Sequence, residues 1–266
     1  MNFKTIEFNR IQATVFILVI FVAIIIAEYI FVYYDAGYGI VVCLALALAI
    51  YIIASVIKMN KSIEDSAESL SLIPLYVLFT ASLPWFFISQ ELLLPAVYSI
   101  ILALCFWHMY EKDIDPASVG LKKGNILKFT IIGILIGFFT GQIEYLVIRP
   151  EPSYPTFEIK YMLRDLVFMT VFVGIGEELL FRGIIQNDLI KAFGTNKGIL
   201  GQAFLFGIMH MTWRSPLELL FTGLAGLLFG IFYHKTGSLT GPIVFHGINN
   251  TMLVAILPYY YSGLLF

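Results

Sequence analysis

Glu177, Glu178 and Arg182 stand in the stretch Gly174-Ile-Gly-Glu-Glu-Leu-Leu-Phe-Arg-Gly183, inside a predominantly apolar run. One ionisable side chain at the centre of a bilayer costs about 2.5 to 3.5 kcal/mol, so a group of them needs partners and usually a task. On a helix, Glu178 and Arg182 are four residues apart and can pair. Glu177 is turned about 100° away and has Phe181 as its own i+4 neighbour. It is the carboxylate left over. Two polar clusters follow, Phe206-Gly-Ile-Met-His210 and His246-Gly-Ile-Asn-Asn250. His246 and Asn250 share one helix face, with Asn249 close beside it.

A carboxylate, two imidazoles and a carboxamide suit peptide hydrolysis by an activated water. A buried glutamate beside a neutral imidazole can take a proton from water. A second imidazole and a carboxamide can donate hydrogen bonds to the oxyanion that forms when the carbonyl is attacked. Neither Gly-x-Ser-x-Gly nor a convincing Ser/Lys or paired intramembrane aspartate arrangement is present, which weakens the serine and aspartyl routes, and His-Glu-x-x-His is also absent. Zinc is the alternative chemistry, since Glu177, His210 and His246 would supply three ligands and leave a position for water. The bland readings are that the charges only tie helices together and that each histidine is a hydrogen-bonded packing residue.

These residues need helices in a membrane to position them. The 266 residues are 59% hydrophobic and 13% charged, with a mean hydropathy of +0.89, which excludes an ordinary soluble domain. A net charge of −2 without a long basic or acidic block argues against a nucleic-acid partner. Cys43 and Cys105 lie in apolar spans and read as small core residues.

Apolar runs fall near 12–34, 38–57, 71–89, 92–110, 126–148, 161–187, 198–213, 216–234 and 238–257. This predicts an all-α, polytopic transmembrane bundle of eight or nine spans, with an intramembrane catalytic cavity. The first run is too long for a signal-peptide core and is read as a retained span. Lys4, Arg10, Lys58, Lys61, Lys112, Lys122, Lys123, Lys128, Lys191, Lys197 and Lys235 crowd one side of this arrangement. Arg149, Lys160, Arg164 and Arg214 fall on the other, which predicts a cytoplasmic N-terminus. At 1.5 Å per residue, Glu177, His210, His246 and Asn250 all lie about 12 to 18 Å from the cytoplasmic helix ends, in one slab. The expectation is a cavity opening on the cytoplasmic side, with Lys122, Lys123, Lys191, Lys197 and Lys235 about its mouth.

The chemistry is concentrated after residue 160. Glu28 and His108, in the first four spans, read as structural residues near an interface. Gly133, Gly137 and Gly141 at four-residue spacing in the fifth run, and Gly226 and Gly230 in the eighth, predict close helix contacts. No internal repeat is present, and inverted repeats with broken helices, the mark of many transporters, are not seen.

Glu-Glu-x-x-x-Arg at 177–182, Phe-x-x-x-His at 206–210 and His-x-x-x-Asn at 246–250, in that order, resemble the three motifs of the CPBP family of intramembrane proteases. That family unites type II CAAX prenyl endopeptidases with Abi-type bacteriocin-processing and immunity proteins. The resemblance covers roughly 113–257, including the Gly-Leu-Lys-Lys stretch at 120–123. It divides the chain into N-terminal helices, 1–112, and a protease core, 113–266.

The resemblance implies that Glu177 is the catalytic carboxylate with His210 activating water beside it. His246 and Asn250 would hold the oxyanion, and Glu178 and Arg182 would support the first carboxylate. No cofactor is favoured, although members have been called metalloproteases. It implies a multi-pass protein of a prokaryotic cell membrane, in contact with lipid, cutting a prenylated CAAX-like tail, a leader peptide or another membrane-anchored protein. The competing classes are a catalytically silent immunity or peptide-binding protein and a transporter.

Overall fold

The computed structural model describes residues 6–83, 85–121 and 124–263. Helix α1 (Arg10–Tyr29) starts where Asn9 and Gln12 each accept the other's backbone N–H, at 3.0 and 2.9 Å, and it runs on through a wider π turn at Ile30–Tyr34. Asp35 caps α2 (Ala36–Val56) by accepting the Tyr38 N–H. A two-residue parallel pairing of Ile6–Glu7 with Ile57–Lys58 ties the start of the chain to the end of α2. Asn60 caps α3 (Lys61–Ala81), and α4 (Leu93–Glu111) and α5 (Ile126–Ile148) follow.

Helix α6 is one continuous run over 159–193 that changes pitch. Ordinary turns at Ile159–Phe168, Ile175–Glu178 and Asn187–Phe193 alternate with π turns at Met169–Gly174 and Leu179–Gln186. Gly194, with φ of 86°, reverses the chain into α7 (Thr195–Ile208). Ser215 and the N-terminal Pro216 start α8 (Pro216–Thr236), and α9 begins at Thr240–Thr251 and continues to Tyr261. Short connections make consecutive helices antiparallel.

Among the described residues, six helices are long and apolar enough to cross a membrane: α1, α2, α4, α5, α8 and α9. Helices α3, α6 and α7, counted among the eight or nine spans expected, do not meet that measure. The first turns of α3 carry Lys61, Glu64, Asp65 and Glu68, α6 is charged and divided by its π turns, and α7 has 14 residues. The outward faces are apolar, as at Val15, Leu18, Val22 and Ile26 of α1, which suits lipid contact.

The predicted glycine seam packs α5 on α9. A Cβ at Gly133 would lie 2.9 Å from the Gly241 carbonyl, and one at Gly137 2.6 Å from that of Phe245. Neither backbone can yield that space, so the seam needs glycine. One buried apolar cluster joins Ile17, Ile20 and Ile24 of α1 to Leu70 and Ile73 of α3, Leu179 and Ile185 of α6 and Leu205 of α7. The N-terminal helices therefore build part of the wall around the polar residues of α6. Cys43 and Cys105 are free thiols in this interior.

Candidate active site

Glu178 and Arg182 are hydrogen-bonded at 2.9 Å, and neither is exposed. The guanidinium sits 4.1 Å from the Phe206 ring centre and 4.9 Å from that of Phe229, with a further bond to the Gly226 carbonyl. Two aromatic faces and a carboxylate thus replace the water that a cation would otherwise require. The flanking π turns set how these side chains leave the helix axis, and such turns recur at functional sites.

Glu177, one residue earlier, points instead into a cavity. Its Oε2 is buried without a hydrogen-bond partner and lies 3.8 Å from His246 Nε2. The Tyr98 hydroxyl from α4 bonds to the same carboxylate. His246 is anchored through its other nitrogen, with Nδ1 2.9 Å from Glu178 Oε1. Taking Glu178 as the acceptor, Nδ1 carries the hydrogen and Nε2 is turned toward Glu177. One imidazole therefore links the two neighbouring glutamates.

His210 lies just beyond α7, and its Nδ1 donates to the Phe206 carbonyl at 2.8 Å, leaving Nε2 toward the cavity. The expected arrangement put His210 beside Glu177 and gave His246 to the oxyanion. In the structure the imidazole next to Glu177 is that of His246, and among the described residues no hydrogen bond or ion pair joins His210 to Glu177. Helix spacing places residues along one face, whereas the distance between α6 and α9 decides which histidine comes close. Asn250 lines the cavity, and its Oδ1 accepts from Asn249 at 3.4 Å, so its own amide N–H groups are available to an occupant.

The cavity has a volume of about 690 Å³, within the range of ligand-binding clefts. Its wall comes from the late turns of α1, α3 and α5, the early turns of α2 and α4, the middle of α6, the segment after α7 and the middle of α9. This is the half of the bundle away from Arg10, Lys58, Lys61, Lys191, Lys197 and Lys235. Of the lysines expected about its mouth, Lys191, Lys197 and Lys235 do not line it, while Lys122 and Lys123 lie outside the described residues. Depth along a helix gives distance from one end without saying which end is open.

Among the described residues, no three His, Cys, Asp or Glu side chains are gathered closely enough to hold a metal ion. Glu177, His210 and His246 in this arrangement are therefore not a three-ligand set.

Among the polar side chains that line the cavity without having been assigned to it from the sequence are Tyr98, Glu144 and Glu28. Tyr98 gave no signal, since a tyrosine in an apolar span is ordinary. Glu144 on α5, buried and bonded to Asn249, was legible in principle as a charge inside an apolar run. Glu28 was read as structural, yet it lines the same cavity.

Residues 160–252 match the family model described as type II CAAX prenyl endopeptidase Rce1-like. "Uncharacterized protein YpbD" of Bacillus subtilis (strain 168) is 30% identical over 91 residues, which is 34% of this chain and 43% of that protein. The similarity thus spans less than half of that relative. No solved structure matches. The matched segment contains Glu177, Glu178, Arg182, His210, His246 and Asn250, while Glu28, Tyr98 and Glu144 lie before it.

Proposed function

We propose that this chain, whose residues 160–252 match the Rce1-like family model, is an integral-membrane endopeptidase in which Glu177 activates a water molecule. The observation that carries the reading is the pair of atoms Glu177 Oε2 and His246 Nε2, 3.8 Å apart at the cavity wall. One water at an ordinary hydrogen-bond length of about 2.8 Å can touch both. The Glu178 carboxylate and Arg182 hold the imidazole in place, so the water would meet prearranged groups rather than mobile ones.

The chemistry balances with the residues present. Glu177 takes a proton from water as the oxygen bonds to the scissile carbonyl carbon, and the carbonyl π electrons become the oxyanion. The Asn250 amide N–H donates to that oxygen, a contribution worth about 3 kcal/mol in comparable sites. When the C–N bond breaks, Glu177 returns its proton to the leaving nitrogen, giving a carboxylic acid and an amine. His210, with Nε2 as an acceptor, orients the amide N–H of the bound peptide. This departs from the expected roles of the two histidines, following the contact that His246 makes.

The position of the cavity bears on the substrate. If the basic loops face the cytoplasm, the site is reached from the other half of the bilayer, which supports a membrane-anchored protein or leader peptide presented there over a cytoplasmic prenylated tail. Mass spectrometry of membrane peptides from cells carrying the wild type or a Glu177→Ala variant tests the reading. New termini present only with the wild type are expected and would identify the cut bond. Identical peptide sets at equal protein levels would favour the silent binding protein.

A further inference from the structure

The wall that α1 contributes holds a carboxylate that the proposed hydrolysis does not use. Glu28 is 4% exposed and lines the cavity. Among the described residues no hydrogen bond or opposite charge meets it. The other two carboxylates on this wall are engaged: Glu144 by Asn249, and Glu177 by Tyr98 and near His246. Tyr76 lies within electrostatic reach of both Glu28 and Glu177, so Glu28 and the reacting centre share one space. No Lys or Arg among the described residues lines the cavity, and Cys43 and Tyr76, which lie within electrostatic reach of Glu28, bring no positive charge to it.

Burial with a missing counter-charge defines what would fit. An isolated carboxylate in low-dielectric surroundings gains far more from an incoming cation than an exposed one does, because water does not screen the pair. An anionic occupant would meet Glu28, Glu144 and Glu177 together, and an apolar one would leave Glu28 unmatched. We propose that Glu28 is a specificity subsite that receives the cationic side chain, lysine or arginine, of the peptide occupying the cavity. The proposal rests on the endopeptidase reading for the identity of its occupant as a peptide. It also gives the N-terminal helices, outside the matched segment, a part in choosing the substrate.

The test separates binding from cleavage. Full-length Glu177→Gln protein in detergent micelles is titrated with short, fluorescent, N-acetylated leucine-rich peptides carrying one Lys, Gln or Glu at each position in turn. At one position the Lys peptide is expected to bind about tenfold more tightly than the Gln peptide, the gain of one charge-assisted hydrogen bond. The Glu peptide is expected to bind more weakly than either. Adding Glu28→Gln should bring the Lys-to-Gln ratio to about one, and Glu28→Lys should invert the preference toward the Glu peptide. A ratio near one before any change at Glu28, or a preference that survives Glu28→Gln, overturns the subsite. If both Glu28 variants fail to fold, competition in the Glu177→Gln protein decides: butylammonium should displace the Lys peptide where butanol does not, and equal displacement overturns it. A preference that follows a free N-terminal amine in lysine-free peptides assigns the contact to a chain terminus and overturns the side-chain proposal. Wild-type cleavage is read separately. Lysine-selective binding without cleavage keeps the subsite and removes the endopeptidase, and cleavage without selectivity does the reverse.

Discussion

Glu178 and Glu218 are both fully buried carboxylates, but one is held by an arginine and an imidazole while the other has only a second carboxyl group within electrostatic reach. Around Glu178 the charges alternate, with Arg182 and His246 on the same oxygen and Glu177 beyond, at the edge of the cavity. Among the described residues no ion pair meets Glu218 and neither of its oxygens has a hydrogen-bond partner; the Glu144 carboxyl group lies within electrostatic reach, and Glu144 accepts from Asn249, which in turn accepts from Thr140 at 2.6 Å. The first grouping holds fixed charge where an occupant can meet it. The second lies where α5, α8 and α9 meet, and only its Glu144 reaches the cavity wall. Burial alone therefore does not mark a reacting carboxylate; the nature of its partners and its access to the cavity do.

Three substitutions would sharpen or break this contrast. Arg182→Met strands Glu178 without its cation and is expected to destabilise the protein by about 3–5 kcal/mol, as breaking a buried ion pair does. Thermal unfolding in detergent should fall by about 10 °C. Gly141→Val is expected to cost about 1–3 kcal/mol through overpacking, since a Cβ there would lie 2.8 Å from the Asn249 carbonyl and 2.7 Å from Met252 Cβ. It loosens the second grouping without touching the first, so stability should drop before activity does. Glu218→Gln should change stability by less than about 1 kcal/mol, because an amide of the same size removes a buried carboxyl group that no hydrogen bond or ion pair among the described residues holds. A loss as large as that of Arg182→Met would show that Glu218 carries fixed charge and would remove the distinction.

Much of this was legible along the helix and little of it across helices. The i,i+4 spacing of Glu178 and Arg182 announces their bond, and the four-residue glycine spacing announces the α5–α9 seam. Hydropathy finds the helices, while the burial of Glu68, Ser69 and Ser71 within α3, set by its neighbours, is not encoded in the hydropathy of that run. The closeness of His246 to Glu177, the tyrosine from α4 and the open end of the cavity depend on how α4, α6 and α9 pack. No single-helix period encodes that. Glu28 was visible as a charge in an apolar run, but its isolation is created by neighbours on other helices.

The central claim, that Glu177 is the base and Glu178 with Arg182 its support, is tested most directly by turnover of the Glu177→Gln protein in sealed vesicles on the substrate found by mass spectrometry. The account predicts a loss of cleavage of at least about a hundredfold, the lower range for a general base, with thermal unfolding shifted by less than about 2 °C, because glutamine keeps the size and the bond to Tyr98. Retention of more than about a tenth of the wild-type rate, beyond what loss of a general base permits, would contradict it and remove Glu177 from that role.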